Sequence, residues 1–125
     1  MTSSLALIIE DDPDLATIFA EALHGAEFET EIIADGQTAL ARLDIIIPSV
    51  VVLDLHLPFA SGRDILEHIR ADARLNDTRV ILATADGSLA DTLESKADLI
   101  LLKPISFSQL RNLAARLRLP DTLGE

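Results

Sequence analysis

The sequence has no cysteine, tryptophan or tyrosine among its 125 residues, and aromatic residues make up only 3% of it. Without cysteine, the chain cannot form disulfides, a thiolate metal site or a cysteine nucleophile. Basic residues are also scarce, because 10 Lys and Arg stand against 21 Asp and Glu, giving a formal charge of -11. That charge repels phosphate backbones and anionic lipids, so we expect no direct binding to nucleic acid or membrane.

Long apolar stretches are missing too. The run at residues 5–9 is too short for a signal peptide or a membrane span, and no basic region precedes it. We therefore expect a cytoplasmic location. No repeat, low-complexity tract or linker-like segment interrupts the chain, and 49% of its residues are hydrophobic. We expect one domain over residues 1–125.

Short apolar runs rich in β-branched residues recur along the chain and have strand length. The predicted strands are residues 5–9, 28–33, 50–53, 80–83 and 99–102. The first, third and fourth runs are apolar on both faces, which predicts positions in the middle of a sheet.

Segments with helical spacing separate the predicted strands. They lie around residues 15–23, 39–43, 65–69, 88–95 and 110–117, and the fourth is weakly patterned. The first has Asp12 as a cap and Pro13 in its first turn. Alternating strands and helices predict parallel βαβ units in a three-layer α/β sandwich.

Polar residues stand where four of the predicted strands end. Glu10 and Asp11 follow the first, Asp54 the third, Thr84 the fourth and Lys103 the fifth. Because ligands gather at the carboxyl ends of strands in such sheets, we expect these side chains to share one crevice. Taken singly, some have plainer interpretations. The acidic run of Glu10, Asp11 and Asp12 suits a first helical turn, and Thr84 suits a strand end.

Asp54 and Lys103 fit the plain interpretations poorly. Each follows an apolar strand, where an isolated charge is costly and needs a partner. Crowded carboxylates repel one another unless a cation neutralises them, and Mg²⁺, or Mn²⁺ in its place, takes oxygen ligands. The cation, Lys103 and Thr84 would then bind the oxygens of a phosphoryl group that Asp54 attacks in line.

Four segments resemble the response-regulator receiver domain of two-component signalling: LALIIEDDPDL, VVVLDLHLP followed by Gly62, ILATAD, and LLKPIS. The likeness spans essentially the whole chain. It implies a chemotaxis-type, flavodoxin-like fold, with a five-stranded parallel sheet in the order 2-1-3-4-5 between five helices. It also implies a phospho-accepting module of a phosphorelay. Such a module is not an enzyme with a separate substrate, although it assists its own phosphorylation and dephosphorylation.

The resemblance implies a set of metal ligands. Asp54 corresponds to the phospho-acceptor and also to a metal ligand. Asp11 corresponds to a direct ligand and Glu10 to one that holds the ion partly through water. His56 would supply its backbone carbonyl to the metal.

The resemblance also implies roles around the phosphoryl group. Thr84 resembles the switch hydroxyl, Ala85 the small neighbour that leaves room for it, and Lys103 the ammonium that contacts the phosphoryl oxygens. The side chains of His56 and Asp86 occupy positions that tune hydrolysis of the aspartyl phosphate. The bond between Lys103 and its following proline resembles one that is often cis in the family.

One face departs from the family pattern. The chain from Thr84 to Lys103 is shorter than usual, so we expect a shortened fourth helix or leading loop. Lys96 replaces the glycine that usually ends that helix, and Ile100 stands at the aromatic switch position. These changes put the family's usual output surface in doubt. An aromatic ring flip cannot relay the signal here, so we expect residues 86–97 to order or melt on phosphorylation.

The implied partners are a sensor histidine kinase or phosphotransfer protein and a downstream protein effector, with the chain as a monomer or weak homodimer. The alternative function is a phosphate-independent pseudo-receiver that acts as a protein-interaction module. A flavin carrier would need a phosphate loop after the first strand, and a phosphatase would need a cap domain. Histidine phosphotransfer domains are helical bundles, so we interpret His24 and His68 as exposed helix residues.

Overall fold

Strands and helices alternate along residues 4–118, which the computed structural model describes. The elements are β1 (Leu5–Ile9), α1 (Pro13–Gly25), β2 (Glu29–Ile33), α2 (Gly36–Leu43), β3 (Val50–Leu53), α3 (Gly62–Ala71), β4 (Arg79–Thr84), α4 (Gly87–Thr92), β5 (Leu99–Leu102) and α5 (Phe107–Arg118). Short 3-10 turns at Ala73–Leu75 and Glu94–Lys96 precede β4 and β5.

The sheet is parallel throughout and has the strand order β2-β1-β3-β4-β5. This order confirms the prediction. The three strands that are apolar on both faces, β1, β3 and β4, lie inside the sheet, and all four residues of β3 are buried. Helices cover both faces of such a sheet, which is why its inner strands need apolar residues at every position.

Two apolar clusters hold the helices against the sheet. On one face, Ile8 of β1 packs in a cluster with Phe19 of α1 and Leu110 of α5. On the other face, the neighbouring residue Leu7 packs in a cluster with Ile65 of α3. Each such side chain contributes about 1.5–3 kcal/mol by leaving water. None of the helices in residues 4–118 has the length and apolar character needed to cross a bilayer.

The start of α1 follows the predicted capping pattern. The Asp12 carboxylate accepts hydrogen bonds from the backbone N–H groups of Asp14 and Leu15, at 2.9 and 3.2 Å. Pro13 occupies the first turn, where its missing N–H costs nothing. This cap fixes where the chain turns after β1, and so it places the acidic residues that precede it.

The fourth helix is short, as predicted. Helix α4 has only six residues and is followed by the 3-10 turn that contains Lys96. The weak pattern over residues 88–95 arose because helix and turn each contribute little periodicity. Ile100 is half-buried in β5, and the peptide bond between Lys103 and Pro104 is cis, as the resemblance implied.

The structure corrects three details. Strand β2 begins one residue after Phe28, whose N–H donates to the carbonyl of Leu23 and whose side chain is buried at the end of α1. Strand β4 is one residue longer at each end than predicted. His24 is exposed, but His68 is half-buried, with its Nε2 atom 3.4 Å from Oδ1 of Asp44. This contact joins two segments that are distant in the sequence, so the local pattern around His68 did not indicate it.

Candidate functional site

The first part of the site is built by the pairing of β1 with β3. Ile9 lies opposite Leu53, so the residues that follow them, Glu10 and Asp54, leave the sheet side by side. The pairing continues one residue beyond β3, because the N–H of Asp54 donates to the carbonyl of Ile9 at 3.0 Å. The backbone pairing therefore fixes the positions from which both carboxylate side chains extend.

The pairing of β4 with β5 adds two more groups at the same edge. Thr84 is the last residue of β4 and lies opposite Leu102. The N–H of Lys103 donates to the carbonyl of Thr84 at 2.8 Å, which holds the lysine backbone one residue past β5. Since all these strands are parallel, their carboxyl ends meet along one edge.

Three carboxylates cluster at this edge. One oxygen from each of Glu10, Asp11 and Asp54 lies within 4.8 Å of the other two. Glu10 and Asp54 are buried, whereas Asp11 is exposed. The group therefore offers a set of hard oxygen donors that is closed on the protein side and open on the solvent side, which suits a small divalent cation.

Lys103 reaches into the same cluster. Its Nζ atom lies 2.8 Å from Oε1 of Glu10 and 3.8 Å from Oδ2 of Asp54. The anionic partner that the sequence predicted for this lysine is therefore present. Burial raises the pKa of Glu10, and the hydrogen bond from Lys103 opposes that rise, while the nearby charge of Asp54 adds to it. Positive charge in this crevice favours the ionised carboxylates.

Close backbone approaches hold the loop that leads from Asp54 to α3. The N–H of Gly62 donates to the carbonyl of Leu55 at 3.0 Å, and a Cβ atom at Gly62 would lie 2.1 Å from the carbonyl oxygen of Asp54. The N–H of Gly36 likewise donates to the carbonyl of Pro58 at 3.0 Å. Sequence reasoning included Gly62 in a motif but missed Gly36, whose only signal is its place directly after a helix-capping aspartate.

The remaining predicted residues surround the beginning of α4. The buried Oγ1 of Thr84 accepts a hydrogen bond from the N–H of Asp86 at 3.1 Å. The Asp86 carboxylate accepts from the N–H of Leu89 at 2.9 Å and so caps α4, and its other oxygen lies 3.4 Å from Nε2 of His56. The N–H of His56 donates to Oδ1 of Asp54 at 3.2 Å, and Ala85 is exposed. The site and the short helix therefore share one hydrogen-bond network.

The sequence profile of the response regulator receiver domain matches residues 6–115. The chain belongs to this family, whose members act in two-component signalling systems. It is 36% identical over 116 residues to the DNA-binding response regulator MtrA of Mycolicibacterium smegmatis, an alignment that covers 90% of this chain and 50% of that protein. The chain thus spans about half the length of these curated relatives.

Two solved receiver domains share this fold. The signal receiver domain of a protein assigned as a Luxo repressor in Vibrio parahaemolyticus superposes with a TM-score of 0.84 at 31% identity, covering 93% of this chain and 90% of that one. The receiver domain of a Pseudomonas aeruginosa sensor histidine kinase, at 23% identity, has a TM-score of 0.81 and covers 93% and 98%. That structure has a magnesium ion coordinated in its active-site cleft.

Proposed function

We propose that this chain accepts a phosphoryl group on Asp54 and that a divalent cation assists the transfer. The cation is Mg²⁺, or Mn²⁺ in its place, held by Glu10, Asp11, Asp54 and the backbone carbonyl of His56. One observation carries the proposal: three carboxylate oxygens lie within 4.8 Å of one another, and the ammonium of Lys103 lies among them. Phosphoryl transfer needs positioning and charge neutralisation above all, and this arrangement supplies both.

The donor set fits a magnesium ion. Glu10 is buried, and burial is the main cause of its raised pKa. The three crowded carboxylates carry more negative charge than the single ammonium of Lys103 can neutralise. When bound, Mg²⁺ would supply positive charge to these carboxylates and to the incoming phosphoryl oxygens. The ion in the cleft of the Pseudomonas receiver domain is consistent with this assignment.

The reaction that these residues would support is an in-line displacement. A carboxylate oxygen of Asp54 attacks phosphorus, and the new O–P bond forms as the P–N bond of a phosphohistidine breaks. The leaving imidazole keeps the electron pair. Lys103 stabilises the charge on the phosphoryl oxygens, and the hydroxyl of Thr84 donates to one of them. Hydrolysis reverses the modification, because water attacks phosphorus, phosphate leaves and Asp54 regains its carboxylate.

The position of Thr84 also suggests how the signal leaves the site. Its hydroxyl oxygen now accepts from the N–H of Asp86, the residue that caps α4. If Thr84 turns towards a phosphoryl group, Asp86 loses that partner. The change would then reach residues 86–97 through the cap, without an aromatic ring.

The proposed partners follow from this chemistry. The phosphoryl donor is a sensor histidine kinase or a phosphotransfer protein, and the output passes to a protein effector. We propose a cytoplasmic receiver domain that acts as a monomer or weak homodimer. DNA binding is named for relatives about twice as long, and the charge of -11 argues against DNA binding by this domain itself.

Radiolabelling from acetyl phosphate tests the proposal. We expect the wild-type chain to be labelled with Mg²⁺ and not with a chelator present, and Asp54→Asn to remain unlabelled. Asp77→Asn, a matched change at the opposite edge of the sheet, should label normally. Labelling of Asp54→Asn at the wild-type rate would refute the assignment, and a wild-type chain that never labels would favour the pseudo-receiver alternative.

A further inference from the structure

Phe59 is the most exposed large apolar side chain among the described residues, with 84% of its surface accessible. It lies in the loop between β3 and α3, on the edge of the sheet that carries Asp54. A phenylalanine in water forgoes the stabilisation that burial of its ring would provide. The packing of this domain therefore does not explain why an aromatic residue stands here.

The backbone of Phe59 is also strained. Its φ angle is 72°, in the left-handed region that bulky side chains rarely adopt. A positive φ directly after a proline is typical of a type II turn, where glycine or asparagine is favoured. Both the exposure of the Phe59 side chain and its backbone conformation therefore cost stability.

The loop around Phe59 holds its backbone in place through bonds of neighbouring residues. The preceding residue, Pro58, accepts a hydrogen bond from the N–H of Gly36 at 3.0 Å, and Gly62 bonds back to Leu55 at 3.0 Å. Strained residues persist where the surroundings over-determine them, and they cluster at functional sites. An exposed aromatic ring on a held backbone suits a binding anchor.

We propose that Phe59 is an anchor for the protein that donates the phosphoryl group, and this inference rests on the proposed function. The Asp54 side chain is only 7% exposed, so a donor must place its phosphohistidine inside the crevice and cover the rim. Phe59 stands on that rim, and aromatic residues are frequent anchors in protein interfaces.

The chemistry of the donor surface follows from the rest of the rim. Asp12 and Asp14 are exposed beside the crevice, outside the carboxylate cluster. The fitting partner surface therefore has an apolar pocket for the Phe59 ring and basic residues around it, next to the phosphohistidine. A small donor such as acetyl phosphate needs no such surface.

The test compares two phosphoryl donors on four proteins. The small donor is acetyl phosphate. The protein donor is an autophosphorylated transmitter domain of a sensor histidine kinase from the organism that encodes this chain. Among those kinases, we choose the one that labels the wild-type chain fastest. Phe59→Asn removes the ring and tolerates the left-handed backbone. Phe59→Tyr keeps an aromatic ring. Ile45→Asn removes a side chain that is 71% exposed in the loop before β3, at the opposite edge.

We expect Phe59→Asn to accept phosphate from the kinase at least about tenfold more slowly, the loss typical of an interface anchor. Labelling by acetyl phosphate and the melting temperature should not fall, and Phe59→Tyr and Ile45→Asn should match the wild type with both donors. The inference would be overturned if the kinase transferred its phosphoryl group to Phe59→Asn as fast as to the wild type. It would also be overturned if no kinase phosphorylated the wild-type chain.

A loss with both donors would also overturn it, because Phe59 would then support the site itself. A lower melting temperature would point to packing instead. If acetyl phosphate fails to label even the wild type, the proposed function fails, and that outcome is distinct from the others.

Discussion

The ammonium of Lys103 lies nearer to Glu10 than to Asp54, at 2.8 Å from Oε1 of the first and 3.8 Å from Oδ2 of the second. Glu10 is 2% exposed, so this hydrogen bond compensates the most buried charge at the site. The lysine thus stabilises the fold and also stands within reach of the proposed phospho-acceptor.

Replacement of Lys103 by methionine should destabilise the fold in a pH-dependent way. Glu10 would keep its burial and lose its cation, so we expect a loss of about 2–3 kcal/mol near neutral pH. Burial already raises the pKa of Glu10, and loss of the lysine removes the hydrogen bond that opposes the rise. A carboxyl group whose pKa is higher in the folded state than in the unfolded state lowers the free energy of unfolding as pH rises above its ordinary pKa. The stability deficit of Lys103→Met should therefore shrink as pH falls towards the ordinary pKa of a glutamate.

Urea denaturation of wild type and Lys103→Met at several pH values measures this effect. The double variant Glu10→Gln/Lys103→Met is the control, because it removes both charges and should recover part of the lost stability. A deficit that stays constant between neutral and mildly acid pH would show that the lysine acts through packing of its aliphatic stem.

Magnesium should stabilise the folded chain through Asp11. A ligand that binds only the folded state adds about 2.7 kcal/mol at a hundred times its dissociation constant. We expect the unfolding midpoint of the wild type to rise with Mg²⁺ concentration, and Asp11→Asn to lose most of the response. Asp14→Asn, a nearby exposed change outside the carboxylate cluster, serves as the control. An equal response in Asp11→Asn would remove Asp11 from the ligand set.

The strands, and the meeting of polar residues at their carboxyl ends, could be predicted because their signals are local. An apolar run followed by Asp54 or Lys103 marks both a buried strand and its polar end. The order of the strands and the cis bond before Pro104 came from the family resemblance. Periodicity alone leaves both open, because it carries no information about which strands pair.

Other features depend on contacts between distant segments. The approach of Gly36 to Pro58 joins two loops, and neither sequence segment indicates the other. Phenylalanine rarely adopts the left-handed backbone conformation that Phe59 has, so a prediction from residue preferences misses it. The contact between His68 and Asp44 likewise depends on how α3 packs beside the end of α2.

Gly62 should tolerate no side chain. A Cβ atom there would lie 2.1 Å from the carbonyl oxygen of Asp54, so Gly62→Ala must displace the backbone of the proposed phospho-acceptor. We expect a loss of about 1–3 kcal/mol in unfolding free energy and a clear fall in labelling by acetyl phosphate. The matched control is Gly87→Ala, whose Cβ would meet Leu102 at an ordinary 3.7 Å. That change should preserve labelling, and wild-type behaviour of Gly62→Ala would show that the loop can move freely.

The cap of α4 should determine how well that six-residue helix is formed. Asp86→Ala removes the acceptor for the N–H of Leu89 and the contact with His56, so we expect a local loss of about 1 kcal/mol. Amide hydrogen exchange in α4 should then accelerate about fivefold. His56→Ala removes only the imidazole that contacts Asp86 and should leave exchange in α4 nearly unchanged.

The same amides report the proposed output. Beryllofluoride, a phosphoryl mimic, should draw the hydroxyl of Thr84 away from the N–H of Asp86 and weaken the cap. We therefore expect faster exchange in residues 86–97 of the wild type and little further change in Asp86→Ala, where the cap is already lost. Unchanged exchange in the wild type, under conditions where the mimic is bound, would exclude this segment as the route by which the signal leaves the site.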